Sequence, residues 1–86
     1  MIHIPEELSA RFGTAEGRCE MIRLYGDTPN LYAGTNADGE SVYMEISRSR
    51  GITLTTNQHN GHVRVNYYDT NGHASGETFQ GRWDRD

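Results

Sequence analysis

From Leu31 onward the chain alternates apolar and polar residues with a period of two, between short segments rich in Gly, Asn and Asp. Such a pattern folds as hairpin after hairpin, because successive side chains on a pleated strand point to opposite faces. Leu31–Thr35 and Ser41–Ser47 flank Asn36-Ala37-Asp38-Gly39, and Ile52–Gln58 and His62–Tyr68 flank His59-Asn60-Gly61. An Asn-Gly pair between two such runs is the strongest short hairpin signal, the two-residue loop. With that loop at Asn60-Gly61, Leu54 faces Tyr67, Thr56 faces Val65 and Asn57 faces Arg64, which separates an apolar face from a polar one. The next connection, Asp69–Gly72, reads better as a type I turn closed by a Gly72 bulge. It sets Phe79 opposite Val63, with Trp83 on the same side.

The first thirty residues are less one-sided. Pro5 suits the first helical position, and Glu6 and Glu7 sit where the helix dipole favours anions. Ile4, Leu8 and Phe12 recur every four residues as a single apolar stripe, and Gly13 follows as a stop. Thr14–Arg18 reads as loop. In Cys19–Tyr25, Ile22 and Leu24 alternate with Met21, Arg23 and Tyr25 as a strand does, while Thr14 is equally a cap for a helix through the same residues. The β signals downstream tip this segment to a strand. Gly26–Asn30 has turn chemistry at nearly every position.

The expectation is therefore one α+β, mostly β domain over 1–86. It has a helix and loop in 1–18, an antiparallel meander sheet of five or six strands in 19–83, and a tail in 84–86. The short N-terminal helix packs on one sheet face. The expected core is Ile4, Leu8, Phe12, Ile22, Leu24, Val42, Met44, Ile46, Ile52, Leu54, Val63, Val65, Tyr67, Phe79 and Trp83. The second face is expected to carry Tyr43, Thr53, Thr55, Asn57, Arg64, Asn66 and Tyr68.

Apolar residues form only 34% of the 86, a thin supply for a self-sufficient core, and this favours a dimer. The net charge is −4, and the eight cations are all Arg. An acidic chain is repelled by phosphate backbones and anionic membranes, and its acids are too scattered for DNA mimicry. A single Cys19 forms no intrachain disulfide, residues 1–18 lack a signal-peptide pattern, and no apolar run reaches the roughly 20 residues that span a bilayer. A reduced, cytoplasmic protein is expected.

Few residues suggest chemistry. His59 and His62 flank the hairpin tip and His73 begins the following strand, a thin basis for a divalent metal site without a further ligand. No metal and no cofactor are expected. Arg48 and Arg50 form the one local cationic cluster; with Arg64, and with Tyr43 and Tyr68 as stacking surfaces, they make a partner-binding or nucleic-acid face. The alternative is a turn kept hydrated by charge. Asp69, Glu77 and Glu45 are the carboxylates nearest the polar face, and acid–base work requires a cleft that desolvates one of them; Asp69 is better explained by its turn. Cys19 reads as a small buried apolar residue, and the glycines as turn and bulge residues.

The stretches Leu24-Tyr25-Gly26-Asp27 with Asn30-Leu31-Tyr32-Ala33-Gly34, and Val63–Asp69 with Gly76–Trp83, resemble small proteins encoded on conjugative or integrative elements of gut bacteria. That resemblance covers about the C-terminal two-thirds and implies a cytoplasmic accessory protein, with no activity or site residues to carry over. The leading functional expectation is a non-enzymatic interaction module, binding a protein partner or a second copy of itself through an open sheet face or edge. A nucleic-acid-associated module and a small metal-dependent or hydrolytic enzyme are the alternatives.

Overall fold

The structure is a computed structural model in which residues 2–26, 31–58 and 61–82 are described. It is an α+β fold, mostly β. Strand β1 (Ile2–His3) leads into helices α1 (Glu6–Arg11) and α2 (Ala15–Tyr25), followed by β2 (Leu31–Thr35), β3 (Ser41–Ser47), β4 (Gly51–Asn57), β5 (His62–Tyr68) and β6 (Ala74–Arg82). The six strands form one sheet in chain order. Strands β2 to β6 are the expected antiparallel meander. β1 departs from it, pairing parallel to β2, with the two helices as the crossover between them.

Two helices stand where one was expected. Residues 19–25 are not a strand: α2 runs through them. Thr14 stands in extended backbone (φ −130°, ψ 156°), and its hydroxyl accepts the Gly17 N–H at 3.0 Å, satisfying one of the orphan donors of the first turn. Replacing Thr14 with Ala should lower stability by about 1 kcal/mol, read from urea unfolding, while Thr14→Ser retains most of it. Arg18, Met21, Ile22 and Tyr25 fall on one helical face, and Met21 and Ile22 are buried. Leu24, which a strand would have buried beside Ile22, is instead 52% exposed.

Helix α1 has six residues, too few to persist without packing. Pro5 is its cap rather than its first residue, and Phe12 ends it. Leu8 anchors it, fully buried. The Tyr25 hydroxyl donates to Glu7 Oε2 at 2.8 Å, tying the two helices together. That bond holds the Tyr25 phenol above its ordinary pKa, since ionisation would set two anions in contact; burial and the Glu7 charge push the same way.

The core lies between the helices and one sheet face. Leu8, Met21 and Ile22 pack onto Tyr32, Met44, Ile46 and Ile52, with Ile4, Phe12, Tyr25, Leu54 and Tyr68 around the rim. Each fully buried side chain of this size contributes about 1.5–3 kcal/mol. Met21 and Tyr32 were not expected here.

The hairpin turns fix which residues reach that face. Three share one construction. In each, the first residue donates its N–H to the carbonyl four residues on: Asn36 to Glu40 at 3.0 Å, Gln58 to His62 at 2.9 Å, Asp69 to His73 at 2.9 Å. In each, the fourth residue is a glycine at positive φ, Gly39 (81°), Gly61 (86°) or Gly72 (84°), which donates back to the first. These are three-residue loops with a glycine bulge. The expectation was right at Asp69–Gly72 and wrong at 58–61, where a two-residue loop was expected.

That single residue turns β5 over. Leu54 faces Asn66 rather than Tyr67, Thr56 faces Arg64 rather than Val65, and Asn57 faces Val63. Because side chains alternate, a slip of one exchanges the two faces of the whole strand. Tyr68 and Asn66 thus lie on the helix side, and Val63, Val65 and Tyr67 on the other. β6 shifts again. Tyr68 pairs Ala74 as expected, but Ser75 is an extra residue, so Tyr67 pairs Gly76 and Phe79 falls opposite Arg64, not Val63. Trp83 and His59 lie outside the described residues.

Candidate functional site

The helices occupy one face of the sheet, and among the described residues no element lies on the other. Cross-strand pairing lays that second face out in rows. One row runs Leu31, Glu45, Thr53, Tyr67, Gly76; the next runs Ala33, Tyr43, Thr55, Val65, Thr78; a third begins Thr35, Ser41, Asn57, Val63. Thr, Val and Tyr dominate because they suit a pleated, half-buried surface. Val63 and Val65 are buried, whereas Leu31 and Tyr67 are exposed at 39% and 37%.

Glu45 is the one charged residue among the described side chains at these positions, and Arg50 Nη2 lies 3.8 Å from its Oε2. Both groups are mostly exposed, so the pair adds little stability. Its effect is to leave the face without net charge, on a chain that is 23% charged. At the same end, a cleft of about 440 Å³ opens between Glu45, Arg50, Thr53, Tyr67 and Ser75.

The five residues expected to form a partner-binding face do not share one. Tyr43 is on the second face, half-buried, and Arg50 borders it. Tyr68 is on the helix side, its ring 5.2 Å from that of Phe12 in an edge-to-face contact and covered by the Arg18 guanidinium at 4.6 Å. Arg64 belongs to the helix-side register as well, with its Nε 3.2 Å from Glu77 Oε2. Arg48 turns back to helix α2, where its Nη2 donates to the Arg23 carbonyl and its backbone N–H to that of Gly26. A stacking platform flanked by cations is therefore not assembled from this set.

The carboxylates are dispersed too. Asp69 Oδ1 accepts the N–H groups of Asn71 and His73, both at 2.9 Å, which is the turn role expected of it. Glu77 registers with Asn66 on the helix side, opposite to Glu45. His62 and His73 sit at opposite ends of β5, about 20 Å apart along a strand of seven residues. Among the described residues, no group of three or more His, Cys, Asp and Glu could hold a metal ion. Cys19 is half-buried on α2, not in a strand.

Sequence reasoning missed Leu31, Val63, Val65 and Tyr67 as members of the open face. The signal that finds the last three is the glycine in fourth position of Gln58-His59-Asn60-Gly61, shared with the two turns beside it. No helix among the described residues is long and apolar enough to cross a membrane. No protein-family model, curated protein or solved structure matches the chain.

Proposed function

We propose that this chain is a non-enzymatic interaction module whose second sheet face binds another protein. The carrying observation is the composition of that face: tyrosine, valine and threonine, with one charge that is already neutralised by Arg50. Depletion of charge and enrichment in aromatic residues distinguish the centre of a protein interface from ordinary surface. At the chain's 23% of charged residues, the fourteen positions named on this face would carry about three charges rather than one. The resemblance carried by residues 24–27, 30–34, 63–69 and 76–83 suggests the setting, a cytoplasmic accessory protein of a mobile element.

The test is a photo-crosslinking side chain placed at Thr55, at the centre of the face, and separately at Ala10, exposed on α1. In the producing cell, Thr55 should give protein adducts of discrete mass and Ala10 none. Equal labelling from both positions, or none from Thr55, would sink the reading.

A further inference from the structure

We infer that Asn71-Gly72 is a latent isoaspartate-forming site, held unreactive by its turn while helix α2 is docked, and that its conversion undocks α2 irreversibly. The inference does not depend on what the open sheet face binds.

The chemistry is that of an Asn-Gly pair. The Gly72 backbone nitrogen, once deprotonated, attacks the Asn71 side-chain carbon Cγ. The Cγ–Nδ2 bond breaks, and ammonia leaves with the proton it takes up, closing a succinimide ring. Water then opens the ring in one of two ways. Attack at Cγ gives aspartate with the main chain as before. Attack at the Asn71 main-chain carbonyl carbon gives isoaspartate, whose main chain runs through Cβ and Cγ. Glycine favours the closure because it has no β-carbon in the way. The Asn71 side chain is exposed, so water and base reach its amide.

The folded turn opposes the first step. The attacking N–H donates to the Asp69 carbonyl at 2.9 Å, and that bond must open before the proton can leave. Asp69 Oδ1 accepts the N–H groups of Asn71 and His73, both at 2.9 Å, which fixes the peptide units on either side. Its negative charge also disfavours an amide anion beside it. The Gly72 carbonyl is held by Arg18 Nε at 2.7 Å. Gly72 is buried so close to α2 that a β-carbon there would lie 2.2 Å from the Ala15 carbonyl oxygen, so the residue has no room to swing.

Those same contacts exclude the product. Isoaspartate inserts one more atom into the main chain ahead of Gly72, a displacement of about 1.5 Å. The bond to Asp69, the bond from Arg18 and the close approach to Ala15 cannot all survive it. A carboxylate is also added beside that of Asp69. Asn71→Asp adds the charge without lengthening the chain, and so separates the two effects.

The test uses protein carrying Asn60→Gln, which removes the other Asn-Gly pair of the chain. Samples are held at mildly alkaline pH, and conversion at Asn71 is followed by peptide mass spectrometry. Folded protein should convert at least about tenfold more slowly than protein in urea, since reaction awaits opening of the turn. Thr14→Ala, which loosens α2 without unfolding the chain, should speed conversion of the folded protein about fivefold. Protein converted in urea is then returned to buffer. The isoaspartate form should fail to recover the helical circular dichroism of the parent, whereas Asn71→Asp should recover it. Equal rates with and without urea, or a rate indifferent to Thr14→Ala, would show that docking of α2 does not guard the site. An isoaspartate form that refolds as stably as Asn71→Asp would overturn the undocking.

Discussion

Gly72→Ala should destabilise the fold by about 3 kcal/mol, the sum of a left-handed backbone penalty and an overpacking cost. The first part comes from φ at 84°, a conformation in which a β-carbon meets its own backbone. The second comes from helix α2. A β-carbon at Gly72 would lie 2.2 Å from the Ala15 carbonyl oxygen and 2.8 Å from the Cys19 nitrogen, both backbone atoms that move only if the helix does. Gly39→Ala is the matched control: its φ is 81° in a turn of the same construction, but it is exposed. It should cost only about 1 kcal/mol. A protein of this size holds a margin of a few kcal/mol, so Gly72→Ala leaves much of the chain unfolded near room temperature. Paired urea titrations decide the matter. Equal losses at Gly72 and Gly39 would mean that the β5–β6 turn does not press against the helix.

Arg18→Met should cost a similar amount, about 2–4 kcal/mol, through loss of two charge-assisted hydrogen bonds. Arg18 Nε donates to the Gly72 carbonyl and Nη1 to the Phe12 carbonyl, each at 2.7 Å. The guanidinium also lies over the Tyr68 ring at 4.6 Å and the Phe12 ring at 5.5 Å. One side chain thus joins the end of α1, the start of α2, the last strand pair and the aromatic rim of the core. Methionine keeps most of the stem and removes every donor. Arg18→Lys keeps the charge, but an ammonium lacks the planar fork that reaches two carbonyls at once, so it should recover less than half of the loss. Full recovery by lysine in thermal unfolding would show that charge, not fork geometry, holds these elements. Since both substitutions strike one contact, the double variant Arg18→Met with Gly72→Ala should lose less than the two separately.

The strands after position 31 were legible because alternation and turn residues are local properties. Val42, Met44, Ile46 and Ile52 reach the core as their parity implies. The second helix was half legible: the Thr14 cap was visible, but five residues of alternation around Ile22 and Leu24 fit either structure. The spacing of Arg18, Met21, Ile22 and Tyr25 is the stronger signal, and it shows only over a longer window. The candidate site was largely illegible. Its layout depends on how β5 is oriented, and that orientation depends on one residue of loop length at 58–61.

Local chemistry along the chain determined where strands begin and end, where glycine must take positive φ, and that one sheet face would be apolar. Tertiary packing decided which face β5 presents. A three-residue loop brings Tyr68 under Phe12 and Arg18 and leaves Val63, Val65 and Tyr67 facing outward. Either loop satisfies the backbone hydrogen bonds of a hairpin, so within ten residues of Gly61 only the fourth-position glycine shared with the neighbouring turns speaks for the longer one. The difference lies in what Tyr68 touches, and Phe12 and Arg18 are fifty or more residues away in sequence.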